Sequence, residues 1–203
     1  MFTDVSVDLE TLATTADAAF ISIGAVKFNL INDEVDSTGF YASVSLQSNL
    51  DYHRVVSEDT LKWWLGQSND AQKVFHEPKQ GIDDALESFT DWFWDHSKDP
   101  AVQGNLTKER RVWCNGANFD EPILAHALTQ CRLDIPWKFW NVRCVRTYKN
   151  LPGAKNLVIP RVGTHHNALG DALTQARLVR LVHKTLFERE SNGRHSSARR
   201  ADD

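Results

Sequence analysis

The segment Phe20-Ile21-Ser22-Ile23-Gly24-Ala25-Val26-Lys27-Phe28 constrains the fold of this chain more than any other. Its β-branched and aromatic residues, partly alternating with small and polar ones, fit a β-strand. Val5 and Val7 mark an earlier strand, and the small and polar residues 11–18 between the two predict a hairpin. Residues 29–34 read as a turn, and Phe40-Tyr41-Ala42-Ser43-Val44 as a third strand. The N-terminal part is therefore expected to form an antiparallel meander.

Helical patterns follow. Ser57-Glu58-Asp59-Thr60 ahead of Leu61, Trp63, Trp64 and Leu65 predicts a capped helix. Ile82, Leu86, Phe89 and Phe93 share one face of a helix expected over residues 80–96. Arg111-Val112-Trp113-Cys114 reads as a short strand after a polar loop. It leads into a turn at Asn115-Gly116 and a helix from about Asp120, with Pro122 tolerated in the first turn. Residues 141–148 read as a strand and the start of a helix. Residues 149–164, with Pro152, Gly153, Pro160 and Gly163, read as loop. Ala168, Leu169, Ala172, Leu173, Ala176, Val179 and Val182 form a helical stripe. Strands first, then helices interleaved with strands, imply an α/β or α+β architecture around one mixed sheet.

With 203 residues, 41% of them hydrophobic, the chain has material for one ordinary domain, expected over residues 1–189. From about Glu190 the composition turns to Ser, Asn, Gly, Arg and Asp, which predicts a disordered tail over 190–203. No apolar run approaches the ~20 residues of a membrane span. The acidic first ten residues lack the basic start of a signal peptide, so a cytoplasmic protein is expected, in the host cytoplasm if phage-encoded. Cys114, Cys131 and Cys144 form no CxxC pair and are odd in number, which argues for free thiols. A zinc hydrolase lacks HExxH or paired-ligand spacing. The net charge of −4 weakens the case for tight electrostatic DNA binding, but an enzyme that grips a strand end with metal cations is not excluded.

The chemistry lies in scattered acids. Asp8 and Glu10, two apart on a strand, point to one face while Leu9 points to the other. They fit a solvated strand end, or a pair bridged by a cation. Asp120, where a strand turns into a helix, fits an N-cap or a ligand. Asp171 lies in the apolar stripe, so it must sit at its edge, find a partner or face a cleft. His165 and His166 precede it, and spacing alone does not choose between them. Together, four carboxylates and an imidazole are the inventory for two hard cations in phosphodiester hydrolysis.

Asp8-Leu9-Glu10-Thr11, Asn118-Phe119-Asp120 and His166-Asn167-Ala168-Leu169-Gly170-Asp171 resemble, in order and spread, the three motifs of the DnaQ-like exonuclease superfamily, DEDDh branch. The spacing from histidine to aspartate in that branch selects His166. Leu61-Lys62-Trp63-Trp64-Leu65-Gly66-Gln67-Ser68, Trp113-Cys114-Asn115-Gly116 and Lys138-Phe139-Trp140-Asn141-Val142-Arg143 further resemble the phage exonuclease A (DexA) type and a related bacterial exoribonuclease branch.

The resemblance implies a ribonuclease H-like fold, a five-stranded mixed sheet flanked by helices. It implies Asp8, Glu10, Asp120 and Asp171 as ligands of two divalent cations, Mg²⁺ or Mn²⁺, and His166 as general base. The implied reaction is 3′–5′ release of nucleoside 5′-monophosphates from a single-stranded nucleic acid, with DNA favoured and RNA as the alternative. Thr11 and Leu12 are implied to hold the terminal nucleotide, Leu12 as an apolar wedge, while Phe119 packs behind the middle aspartate. Gly116 stands where many members carry Asn; Asn118 or Asn115 is the expected substitute. Trp63 and Trp64, about 100° apart on a helix, are expected not to face one spot. Most of the seven Trp are expected in the core, one or two as platforms for bases. Lys149, Lys155 and Arg161 fit phosphate contacts or a solvated loop. A non-catalytic nucleic-acid-binding or protein-binding module is the competing class. A monomer or a homodimer is expected.

Overall fold

The computed structural model describes residues 2–31, 34–36 and 38–188. The tail expected over 190–203 and part of the turn expected at 29–34 lie outside the described residues. Strands β1 (Asp4–Thr11), β2 (Phe20–Phe28) and β3 (Phe40–Ser43) come first, then helices α1 (Leu46–Asp51), α2 (Glu58–Leu65), α3 (Asn69–Gln72), α4 (Ile82–Phe93) and α5 (Pro100–Glu109). The rest comprises β4 (Arg111–Cys114), α6 (Asp120–Gln130), β5 (Val142–Cys144), α7 (Val145–Lys149) and α8 (Ala168–His183).

The five strands form one sheet in the order β3-β2-β1-β4-β5. The β1–β2–β3 meander is antiparallel, and β4 and β5 add in parallel. This is the expected five-stranded mixed sheet flanked by helices. Alternation along the strands divides the core. Val5, Val7, Leu9 and Ile23 face one side, against Phe89 and Phe93 of α4 and Leu124 of α6. Val26, Phe28 and Trp113 face the other, where Ala172, Ala176 and Val179 of α8 cover them. Leu12, Ala19 and Ile21 bury a third cluster with Trp64 of α2.

Two expectations shift. The helix expected over 80–96 is shorter: Gln80 bridges Val44, and Asp95 and His96 turn into left-handed backbone. The polar loop expected before β4 is the helix α5. Asp99 caps it by accepting from the Ala101 N–H at 2.8 Å, and Pro100 opens it. Leu106 is its one buried residue, so it carries no apolar stripe for a sequence pattern to reveal.

Gly24 positions the site. It lies opposite Asp8 in the β1–β2 register. The first turn of α8 rests directly on it, since a Cβ there would come within 2.1 Å of the Ala168 carbonyl carbon. Only glycine permits so close an approach.

Candidate active site

β1 outruns its parallel neighbour. Pairing with β4 ends at Ser6 and Trp113, while β1 continues to Thr11. Leu9 turns into the core. Beyond the end of β4 the Leu9 N–H donates to Asp120 Oδ1 at 3.2 Å. Asp120 is the first residue of α6, not its N-cap, which is Phe119. Its carboxylate stands where the next strand's carbonyl would have been.

α8 brings the other acid. Asn167 caps the helix, its Oδ1 accepting from the Gly170 N–H at 2.9 Å. Asp171 follows in the first turn, where Arg161 pairs with it. Gln175, one turn further along the same stripe, donates from Nε2 to Asp8 Oδ1 at 2.7 Å. Glu10, His166 and Asp171 each offer a ligand atom, all within 4.8 Å of one another.

His166 sits just before the helix in left-handed backbone, with φ +60°. Its ring meets Trp63 edge-to-face at 4.8 Å between centroids and Trp64 at 5.9 Å. The expectation that the two tryptophans could not face one spot is therefore corrected. Their Cα directions diverge, but the indoles are long and converge on the imidazole. Trp64 is buried, its Nε1 donating to the Thr11 carbonyl at 2.9 Å, whereas Trp63 is half exposed. Trp92, Trp113 and Trp137 are core residues as well.

The acids repel one another at the cleft, where Glu10 and Asp120 are buried and Asp8 and Asp171 partly so. Burial first, then the charges of Asp120, Glu10 and Asp171, push Asp8 well above the usual carboxylate range. Burial and the charges of Asp171 and Asp120 raise Glu10 to about 8. Burial raises Asp120 to about 7 against the opposing bond from Leu9. Asp171 is raised by burial despite Arg161. Burial lowers the His166 imidazole, which favours its neutral form.

These groups line a cleft of about 680 Å³. Thr11, Phe119 and His165 line it too, and Phe119 also packs against the core. Leu12 does not: it is fully buried behind β1, so the wedge expected of it is corrected to a core role. Asn118 is exposed but outside the lining, and Asn115 lies within it. Of the three basic loop residues, Arg161 alone lines the cleft. Sequence reasoning missed Gln175 and the cleft-lining Arg146. Gln175 lies four positions after Asp171, a spacing that would have placed both on one helical face.

The donor set fits a hard divalent cation. Carboxylate oxygens dominate it, and mutually repelling buried acids gain most from a positive ion among them. Among the described residues, no helix is long and apolar enough to cross a membrane.

The family model described as a 3′–5′ exoribonuclease Rv2179c-like domain matches residues 3–183. The exodeoxyribonuclease of Enterobacteria phage T4 is 30% identical over 166 residues, covering 71% of this chain and 69% of that protein. The solved structure of cell-death related nuclease 4 (CRN-4) is similar with a TM-score of 0.56 at 15% identity; the match covers 89% of this chain and 63% of that one. The nuclease domain of 3′hExo, a DEDDh family member bound to rAMP, is similar with a TM-score of 0.53 at 12% identity, covering 90% and 93%. At these identities the two structures share the fold. The family match, with the motifs in place along one cleft, leads to one conclusion: the chain belongs to the Rv2179c-like 3′–5′ exoribonuclease domain family, and is a 3′–5′ exonuclease of the DnaQ-like superfamily, DEDDh type.

Proposed function

We propose that this enzyme shortens single-stranded DNA from its 3′ end, releasing nucleoside 5′-monophosphates, with two divalent cations, Mg²⁺ or Mn²⁺. The observation that carries the reading is the meeting of Glu10, on β1, with His166 and Asp171, at the start of α8, within 4.8 Å. Asp8 and Asp120 complete the acid cluster beside them. Asp8, Glu10, Asp120 and Asp171 hold the cations, which when bound neutralise the phosphodiester and acidify water.

The protein's own groups do the rest. His166, kept neutral by burial, accepts the proton of the attacking water. Thr11 touches the terminal nucleotide at the cleft wall, and the half-exposed Trp63 offers a ring on which a base of any identity can stack.

The name of the phage relative, 30% identical, supports DNA as substrate. A second reading, RNA, is supported by the description of the family that matches residues 3–183. Matched DNA and RNA oligonucleotides, labelled at either end and incubated with Mg²⁺, Mn²⁺ or chelator, test both. The expected result is mononucleotide release from the 3′ end of DNA, abolished by chelator. Degradation of RNA alone would reverse the choice, and metal-independent cleavage would end the two-cation reading.

A further inference from the structure

Arg146, on α7, lies exposed at the cleft on the side of Asp120. Its charge is close enough to lower that carboxyl. Its Nη2 donates to the Asn115 carbonyl at 3.0 Å, which aims the guanidinium. Among the described residues no carboxylate forms an ion pair with it, whereas Arg161, across the cleft, is spent on Asp171. Of five N–H donors, most are therefore uncommitted. Gly116 keeps the space beside them open: a Cβ there would lie 3.7 Å from Nη2, and its φ of +138° disfavours any side chain.

A fixed cation with free donors, at the edge of a cleft that takes a strand, is matched to a phosphate group. We propose that Arg146 binds the non-bridging oxygens of a phosphodiester in the bound strand and sets its register beside the acid cluster. This rests on the reading of a single-stranded substrate, with either sugar.

The test compares the wild type with Arg146→Gln and Arg146→Lys on labelled single strands of DNA and RNA, between about 50 and 200 mM salt. For Arg146→Gln, KM should rise about 10- to 100-fold, the worth of a charged hydrogen bond, and by more than kcat falls. The dependence of log KM on log salt should become shallower by about 0.7, one phosphate contact on a single strand. Arg146→Lys should restore the salt slope but only part of KM, because an ammonium lacks the fork. An Arg146→Gln enzyme with wild-type KM and salt slope would overturn the proposal, as would a loss confined to kcat. A wild type that degrades neither strand would sink the substrate reading, and this proposal with it. An active wild type beside an unaltered variant sinks Arg146 alone.

Discussion

Gln175 donates from Nε2 to Asp8 Oδ1 across 2.7 Å, one helical turn beyond Asp171. A single helix thus supplies one acid of the cluster and orients another on the neighbouring strand. Gln175→Leu should weaken Mn²⁺ binding about 10- to 100-fold, the usual cost of losing a group that orients a ligand. Isothermal titration calorimetry measures this directly. Unchanged affinity would mean that the bond does not orient Asp8 for metal.

His166→Ala should lower kcat by about two to four orders of magnitude, the span of general base catalysis. Asp8→Ala and Asp171→Ala should reduce turnover to background while circular dichroism stays native. Full turnover by either aspartate variant in Mg²⁺ would remove it from the ligand set.

Metal-free protein should lose stability as pH rises. Unfolded, Glu10 and Asp120 ionise near their ordinary values of 4.5 and 3.8; folded, they hold their protons to about 8 and about 7. Between those limits the folded state binds more protons, so unfolding becomes easier with each step up in pH. Thermal melts in chelator should give a lower Tm at pH 8 than at pH 5, and Mn²⁺ should raise Tm more at pH 8. Arg161→Gln, which removes the positive charge beside Asp171 and Glu10, should steepen the metal-free decline. A flat or rising profile in chelator would contradict the repulsion among these acids.

Gly24→Ala should both destabilise and slow the enzyme. The added methyl meets the backbone of Ala168, not a movable side chain, so α8 must lift from the sheet. The expected cost is about 1–3 kcal/mol in urea unfolding, as for an overpacked core. Because Asp171 rides on α8, kcat/KM should fall as well. A variant with native stability and activity would mean that the helix has room to spare.

The strands were legible because Val5, Val7 and the run from Phe20 to Phe28 pattern their own burial. The acids were legible because Asp8 and Glu10 share a strand face and Asp171 interrupts an apolar stripe. α5 was not, since Leu106 alone is buried and one apolar residue leaves no periodic stripe to read. Leu12 and the expected divergence of Trp63 from Trp64 were misread for a related reason. Their positions depend on how far β1 and α2 lean towards each other, a tertiary matter that neither spacing nor propensity carries. Asn115 lies in the cleft lining and Asn118 outside it through the course of the turn, which includes Gly116 at φ +138°.

The bond between Leu9 and Asp120 makes inactivating substitutions unequal. An alanine at 120 would strip the Leu9 amide of its acceptor deep inside the protein, at about 1–3 kcal/mol, so a dead enzyme of that kind would also be a fragile one. Asparagine there retains an oxygen to close the strand edge. Whoever wishes to trap a strand on this enzyme without loosening its frame should choose the amide over the methyl.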